Sequence, residues 1–145
     1  MKKVFIGLLI VAAGVGTFYF LQEKNSSSNN NNIQHENIIG KWKLDSIQAL
    51  NDSVNKFMSG IIGIIEPDLK KYSYEFKKDG AILISEVDSL ATDSSRYQWN
   101  KNNQLTWLEY PADTMGEVFS VSLLNKKSLA LLSADSVVLL FSRVK

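Results

Sequence analysis

Cysteine is absent from the 145 residues of this chain. Its absence excludes a disulfide framework, a thiolate metal site and a thiol nucleophile, together with the acylated cysteine a bacterial lipoprotein carries after its signal. Histidine is nearly as scarce. His35 stands alone between Gln34 and Glu36, in a linker where it is expected to be solvated, which removes histidine-based acid–base chemistry and an ordinary imidazole metal site. No glycine-rich phosphate loop occurs, and Ser94, Ser95 and the other serines have no histidine or lysine constellation to activate them. Glu86 and Asp88 share one strand face, an ordinary arrangement on a solvated surface. The sequence therefore predicts a protein that is not an enzyme and carries no cofactor or metal. A dominant charge is missing too. The net charge is +1, and Lys2, Lys3 and Lys24 against Glu23 place two surplus positives in the first segment, leaving the rest near −1 (+1 − 2). Such a balance gives no grip on a phosphate backbone, so nucleic acid is not an expected partner.

The chain begins with an uncharged apolar run from Val4 to Leu21 behind Lys2 and Lys3. That length lies at the lower edge of a membrane-spanning helix and is long for a signal-peptide core. Gly14-Val15-Gly16 offers a small-x-small cleavage site, whereas Phe18-Tyr19-Phe20 continues the run into the aromatic belt of a span that stays in place. Residues 1–24 thus read as a signal anchor or a signal peptide. The lysines hold the N-terminus in the cytoplasm, so the remainder of the chain is expected to be exported to the periplasmic or cell-surface side of the envelope. Residues 25–37, opening with Asn25-Ser26-Ser27-Ser28-Asn29 and three more asparagines, have nothing to bury and read as a flexible tether.

From residue 38 to 145 the pattern changes to short alternating segments. Trp42 and Leu44 alternate with Lys41, Lys43 and Asp45, predicting a first strand over Ile39–Ile47. Val54, Phe57, Met58, Ile61, Ile62 and Ile65 then recur at helical spacing, with Asn51, Asp52 or Ser53 as N-cap and Pro67 as the stop. This helix is expected to cover one mouth of the domain, as a fixed plug or a movable lid. Tyr72, Tyr74 and Phe76 share a strand face, and Asp79-Gly80 predicts a two-residue hairpin loop that sets Phe76 opposite Leu83 and Tyr74 opposite Ser85. A three-residue loop at Lys101-Asn102-Asn103 sets Trp99 opposite Leu105 and Tyr97 opposite Trp107. Phe119, Val121 and Leu123 alternate with serines, Leu129 to Leu132 runs back, and Val137 to Val144 closes the series. Strands so evenly spaced, joined by short hairpins, predict an all-β, up-and-down antiparallel barrel of about eight strands with one helix between the first and second.

These residues resemble a family. Gly40-Lys41-Trp42 on the first strand, eight up-and-down strands and Arg143 on the last are similar to the lipocalin and fatty-acid-binding superfamily, above all to lipocalin-like domains of bacterial exported proteins. The resemblance implies that Trp42 closes the barrel base and that Arg143 stacks on it, a structural role shared with Gly40. It also implies a container for a small molecule. The arginine-x-tyrosine pair with which fatty-acid binders hold a carboxylate is absent, since Val144 and Lys145 come after Arg143.

If the hairpin faces look inward, Tyr72, Tyr74, Phe76, Tyr97, Trp99 and Trp107 line the interior and form a binding surface for a small hydrophobic ligand; equally, they fill the barrel as core. The second alternative is a solid interaction module in the envelope whose contacts are made at Ala91–Ser95 and Pro111–Gly116. Asp followed by Ser or Thr and an apolar residue recurs at Asp45, Asp52, Asp88, Asp113 and Asp135. This resembles an O-glycosylation acceptor pattern of some exported bacterial proteins, and it equally suits turn chemistry.

Overall fold

Alternation of apolar and polar side chains commits each segment to a strand with one dry face, and eight such strands have a single way to leave no edge unpaired. The computed structural model describes residues 33–50, 52–109 and 116–145. The apolar run and the asparagine-rich stretch before Ile33 lie outside the described residues, as does most of the Pro111–Gly116 loop. Strands β1 (Gly40–Ala49), β2 (Tyr72–Phe76), β3 (Ala81–Glu86), β4 (Thr92–Trp99), β5 (Gln104–Leu108), β6 (Glu117–Leu124), β7 (Ser128–Ser133) and β8 (Val137–Arg143) succeed one another along the chain. Each pairs with the next, and β1 pairs with β8, closing the barrel. Helix α1 (Asp52–Leu69) joins β1 to β2. The fold expected from the alternation is the fold observed. Among the described residues no helix is long and apolar enough to cross a membrane.

Four local features differ from the sequence reading. Pro67 does not stop α1 but sits exposed inside its last turn, where a missing amide costs one helical bond beside an end that is already fraying. The Asp79-Gly80 hairpin has a three-residue loop: Lys77 N–H donates to Ala81 O, Gly80 takes φ 86°, and Phe76 and Tyr74 face Ile82 and Ile84. A type I turn closed by a left-handed glycine uses the same residue pair as the two-residue turn, and moves the register by one. The other two are bulges. At Asp45 in β1 and Ser122 in β6 an extra residue breaks the ladder, so Ile47 and Leu124 point inward and Leu123 is turned out, 41 % exposed.

The folded unit runs from Ile33 to Lys145 and so includes residues read as tether. Its core has Trp42, Phe76, Ile82, Leu105 and Leu131 fully inaccessible. The buried rings interlock: Phe76 meets Tyr97 at 5.1 Å and Trp107 at 5.6 Å, and Tyr74 meets Phe141 at 5.6 Å, all edge to face. That geometry matches the aromatic quadrupoles and adds about 1 kcal/mol per pair beyond burial.

Candidate functional site

The two ends of the barrel are built on different principles. At the base, the chain enters through a 3-10 turn, His35–Ile38, laid across the opening. Trp42 Nε1–H donates to Ile38 O at 2.7 Å. The Arg143 guanidinium lies 4.3 Å from the Trp42 ring centroid, donating from Nη1 to Ile39 O at 2.8 Å, from Nε to Lys126 O at 2.7 Å and from Nη2 to Asn37 O. The contact that the resemblance implied is present, and three backbone carbonyls join it. Gly40 is the residue that lets them meet: its φ of 129° suits glycine, and a Cβ there would run into Arg143 Nη1. Trp99 sits at this end as well, stacked on His35 at 3.8 Å with 6° between the planes, while His35 Nε2 is 3.1 Å from Asn103 Oδ1. The histidine is exposed to solvent yet clasped to the barrel. Sequence reasoning missed this pair because its members come from distant parts of the chain.

The mouth is looser. β1 pairs with β2 only over Gly40–Lys43, while its pairing with β8 continues to Ala49. The unpaired edge of β1 is covered by α1, and the uncovered amide of Ile47 is met by a side chain: Ile47 N–H donates to Glu66 Oε2 at 3.1 Å. Lys70 holds the other oxygen at 2.5 Å. The hydrogen bond from Lys70, supported by the Ile47 amide and opposed by partial burial, keeps the Glu66 carboxyl below the usual carboxylate range. Below the helix, Leu69 is buried and its carbonyl accepts from the Tyr74 hydroxyl at 3.3 Å. At this end of the barrel apolar side chains are left in water: Ile64 of α1 is 75 % exposed, Val87 after β3 65 % and Leu50 after β1 61 %.

The six aromatic residues singled out in the sequence divide accordingly. Tyr74, Phe76, Tyr97 and Trp107 are buried together in the interior. Their polar atoms are already engaged, Tyr97 Oη–H donating to Lys77 O at 2.8 Å and Trp107 Nε1–H to Ser95 Oγ at 2.9 Å. Burial pushes the Tyr74 phenol well up, so it stays neutral. Tyr72 is half-buried at the mouth, its hydroxyl raised first by burial and then by Glu86 and Asp68. Trp99 is half-buried at the base. Thus the interior lining and the mouth meet at Tyr72, with Ile84 diagonal to it in the ladder and Ile47 buried on β1 beyond the end of its pairing with β2. Strand pairing also places Glu86, Asp93 and Glu117 on the inward-facing side at the mouth. Burial, then the neighbouring Asp135, raises the Glu117 carboxyl.

Other candidates fall elsewhere. Arg96 is exposed on the outer face. Thr92–Ser95 belongs to β4, so the exposed loop at this corner is Val87–Ala91. Three of the recurring Asp-Ser steps have structural parts: Asp45 Oδ1 accepts from Ser142 Oγ across the β1–β8 pair, Ser89 Oγ accepts from Ala91 N–H, and Ser136 occupies a left-handed turn at φ 62°.

No protein-family model matches the chain, and no curated protein sequence does. Solved structures do. A lipocalin-like protein from Bacteroides uniformis superimposes with a TM-score of 0.51 at 18 % identity, over 74 % of this chain and 99 % of that one. A protein from Bacteroides eggerthii matches with a TM-score of 0.51 at 16 % identity, over 73 % of this chain and 98 % of that one. At these identities the likeness concerns the fold, and the fold is lipocalin-like.

Proposed function

We propose that this lipocalin-like barrel is an exported binding protein that takes a small apolar molecule in through the mouth beneath α1. The observation that carries the reading is the contrast at β1: paired with β8 from Trp42 to Ala49, yet parted from β2 beyond Lys43 and covered there by a helix whose Glu66 carboxylate takes the Ile47 amide. A strand edge covered by a helix is a place where a ligand enters without breaking the barrel. The ring cluster occupies the interior, so the ligand is small and lies toward Tyr72, Ile84 and Ile47. Carboxylates on the inward side of the mouth disfavour fatty acids and favour a neutral or basic apolar molecule. Export rests on the lysine-led apolar run at residues 4–21, which also supplies membrane attachment if it is retained.

The test is titration of the full chain with N-phenyl-1-naphthylamine, a neutral apolar probe, read by energy transfer from the tryptophans. Saturable uptake is expected, weakened about tenfold by Tyr72→Ala, the loss of roughly 1.4 kcal/mol of ring burial. Probe fluorescence that never saturates, or that ignores Tyr72→Ala, would overturn the reading. Native mass spectrometry of protein from its own host then identifies any resident molecule.

A second reading has its own observation. Interlocking edge-to-face rings with satisfied hydroxyl and indole groups suit a barrel filled by its own side chains. In that case the exposed apolar rim of Leu50, Ile64, Val87 and Leu90 meets a protein partner in the envelope.

A further inference from the structure

The near-zero net charge of the folded unit conceals a segregation. At the base, Lys41, Lys78, Lys101, Lys126, Lys127 and Lys145 are exposed, set against Glu36 and Asp79, while Glu75 is taken up by Lys77. Among the described residues none of these six lysines is ion-paired. Arg143 adds a charge whose hydrogen bonds go to carbonyls and to no acid. At the mouth the sign reverses: Glu86, Asp88, Asp93, Glu117 and Asp135 stand there, while Lys70 and Lys71 are spent on Glu66 and Asp68. The barrel is a dipole along its own axis.

We propose that the basic base docks on an anionic lipid bilayer and so turns the mouth away from the membrane. Flexible lysines spread over loop tips, with no groove between them, fit a diffuse anionic surface better than a shaped ligand. The chain also enters the folded unit at this end, at Ile33. Residues 22–32, directly after the apolar run, span at most about 40 Å when fully extended. The orientation rests on the reading that the barrel is exported and held at the membrane; the charge complementarity does not.

The test exploits the missing cysteines. Val144→Cys at the base and Leu90→Cys at the mouth each carry a donor dye on the full chain, with an acceptor in the lipid headgroups. Mixed phosphatidylcholine–phosphatidylglycerol vesicles are expected to raise transfer from position 144 and not from position 90. Pure phosphatidylcholine should abolish the difference, as should about 1 M salt, which shrinks the screening length to about 3 Å. Lys126→Gln with Lys127→Gln should lower the docked-to-undocked ratio about fivefold for each lysine, while Asp88→Asn, at the exposed rim of the mouth, leaves it unchanged. Equal transfer from both positions, or indifference to lipid charge and salt, overturns the proposal, as does heparin being bound where the vesicles are not. Flotation with neutral vesicles reports on membrane attachment separately: a chain that fails to float refutes the anchor, and anionic vesicles still decide the docking.

Discussion

The base and the mouth of this barrel close the same sheet by unlike means. At the base a guanidinium, an indole and three backbone carbonyls converge on one glycine, and the polar groups are satisfied by parts of the chain far apart in sequence. At the mouth one helix covers one open strand edge, through a carboxylate and a leucine, and leaves isoleucine and valine in water. Stability is concentrated at the base, where one guanidinium gathers several distant carbonyls, and adaptability at the mouth, where α1 is tied by Glu66 to the Ile47 amide and by the Leu69 carbonyl to Tyr74.

This contrast can be broken or sharpened by substitution. The largest effect is expected from Phe76→Ala, which removes a fully buried ring touching Tyr97 and Trp107 and should cost about 4 kcal/mol in denaturant unfolding. Arg143→Met comes next. It strands the carbonyls of Asn37, Ile39 and Lys126 and should cost about 3 kcal/mol by the same measurement. Loss of less than about 1 kcal/mol there would mean that the base is not the stronger closure.

At the mouth, Glu66→Gln is expected to cost about 0.5–1 kcal/mol at neutral pH, since the amide keeps an acceptor for Ile47 but loses the charge facing Lys70. The folded carboxyl lies below its reference value of 4.5. Its contribution is therefore present above that value and disappears as pH falls through the lower folded one. Stability curves of the two proteins should converge in acid, and parallel curves would remove Glu66 from its role as clasp. The smallest effect belongs to Ile64→Ser, which exchanges an exposed side chain and should leave unfolding within about 0.5 kcal/mol. If α1 is a lid, the same substitution alters probe uptake while stability stays put.

The sequence disclosed much of this where local chemistry decides. The hairpin at Asn102 came out in the register read from it, Tyr97 opposite Trp107, because asparagine tolerates the left-handed conformation and both Asn102 and Asn103 adopt it. Asp79-Gly80 was ambiguous for the complementary reason: two loop lengths accept the same two residues. The bulges at Asp45 and Ser122 were illegible because strand curvature on closure is a property of the whole sheet, and nothing in the neighbouring residues marks the extra one. For the candidate site, the inward direction of Tyr74, Phe76, Tyr97 and Trp107 was readable from alternation. That these rings would engage one another, that Tyr72 and Trp99 would stand at opposite ends, and that His35 would lie on Trp99 depend on contacts across the barrel.

The pairing of β1 with β8 carries a consequence for how the molecule comes into being. The strands that complete the cylinder are those separated by the rest of the domain, so their pairing closes the longest loop of the sheet. Without the pairing of Leu139 and Phe141 with Ile47 and Leu44, the eight strands would have two unpaired margins, β1 and β8. Refolding slower than that of a helical domain of this size is the expected consequence, because the closing contacts join the two ends of the domain.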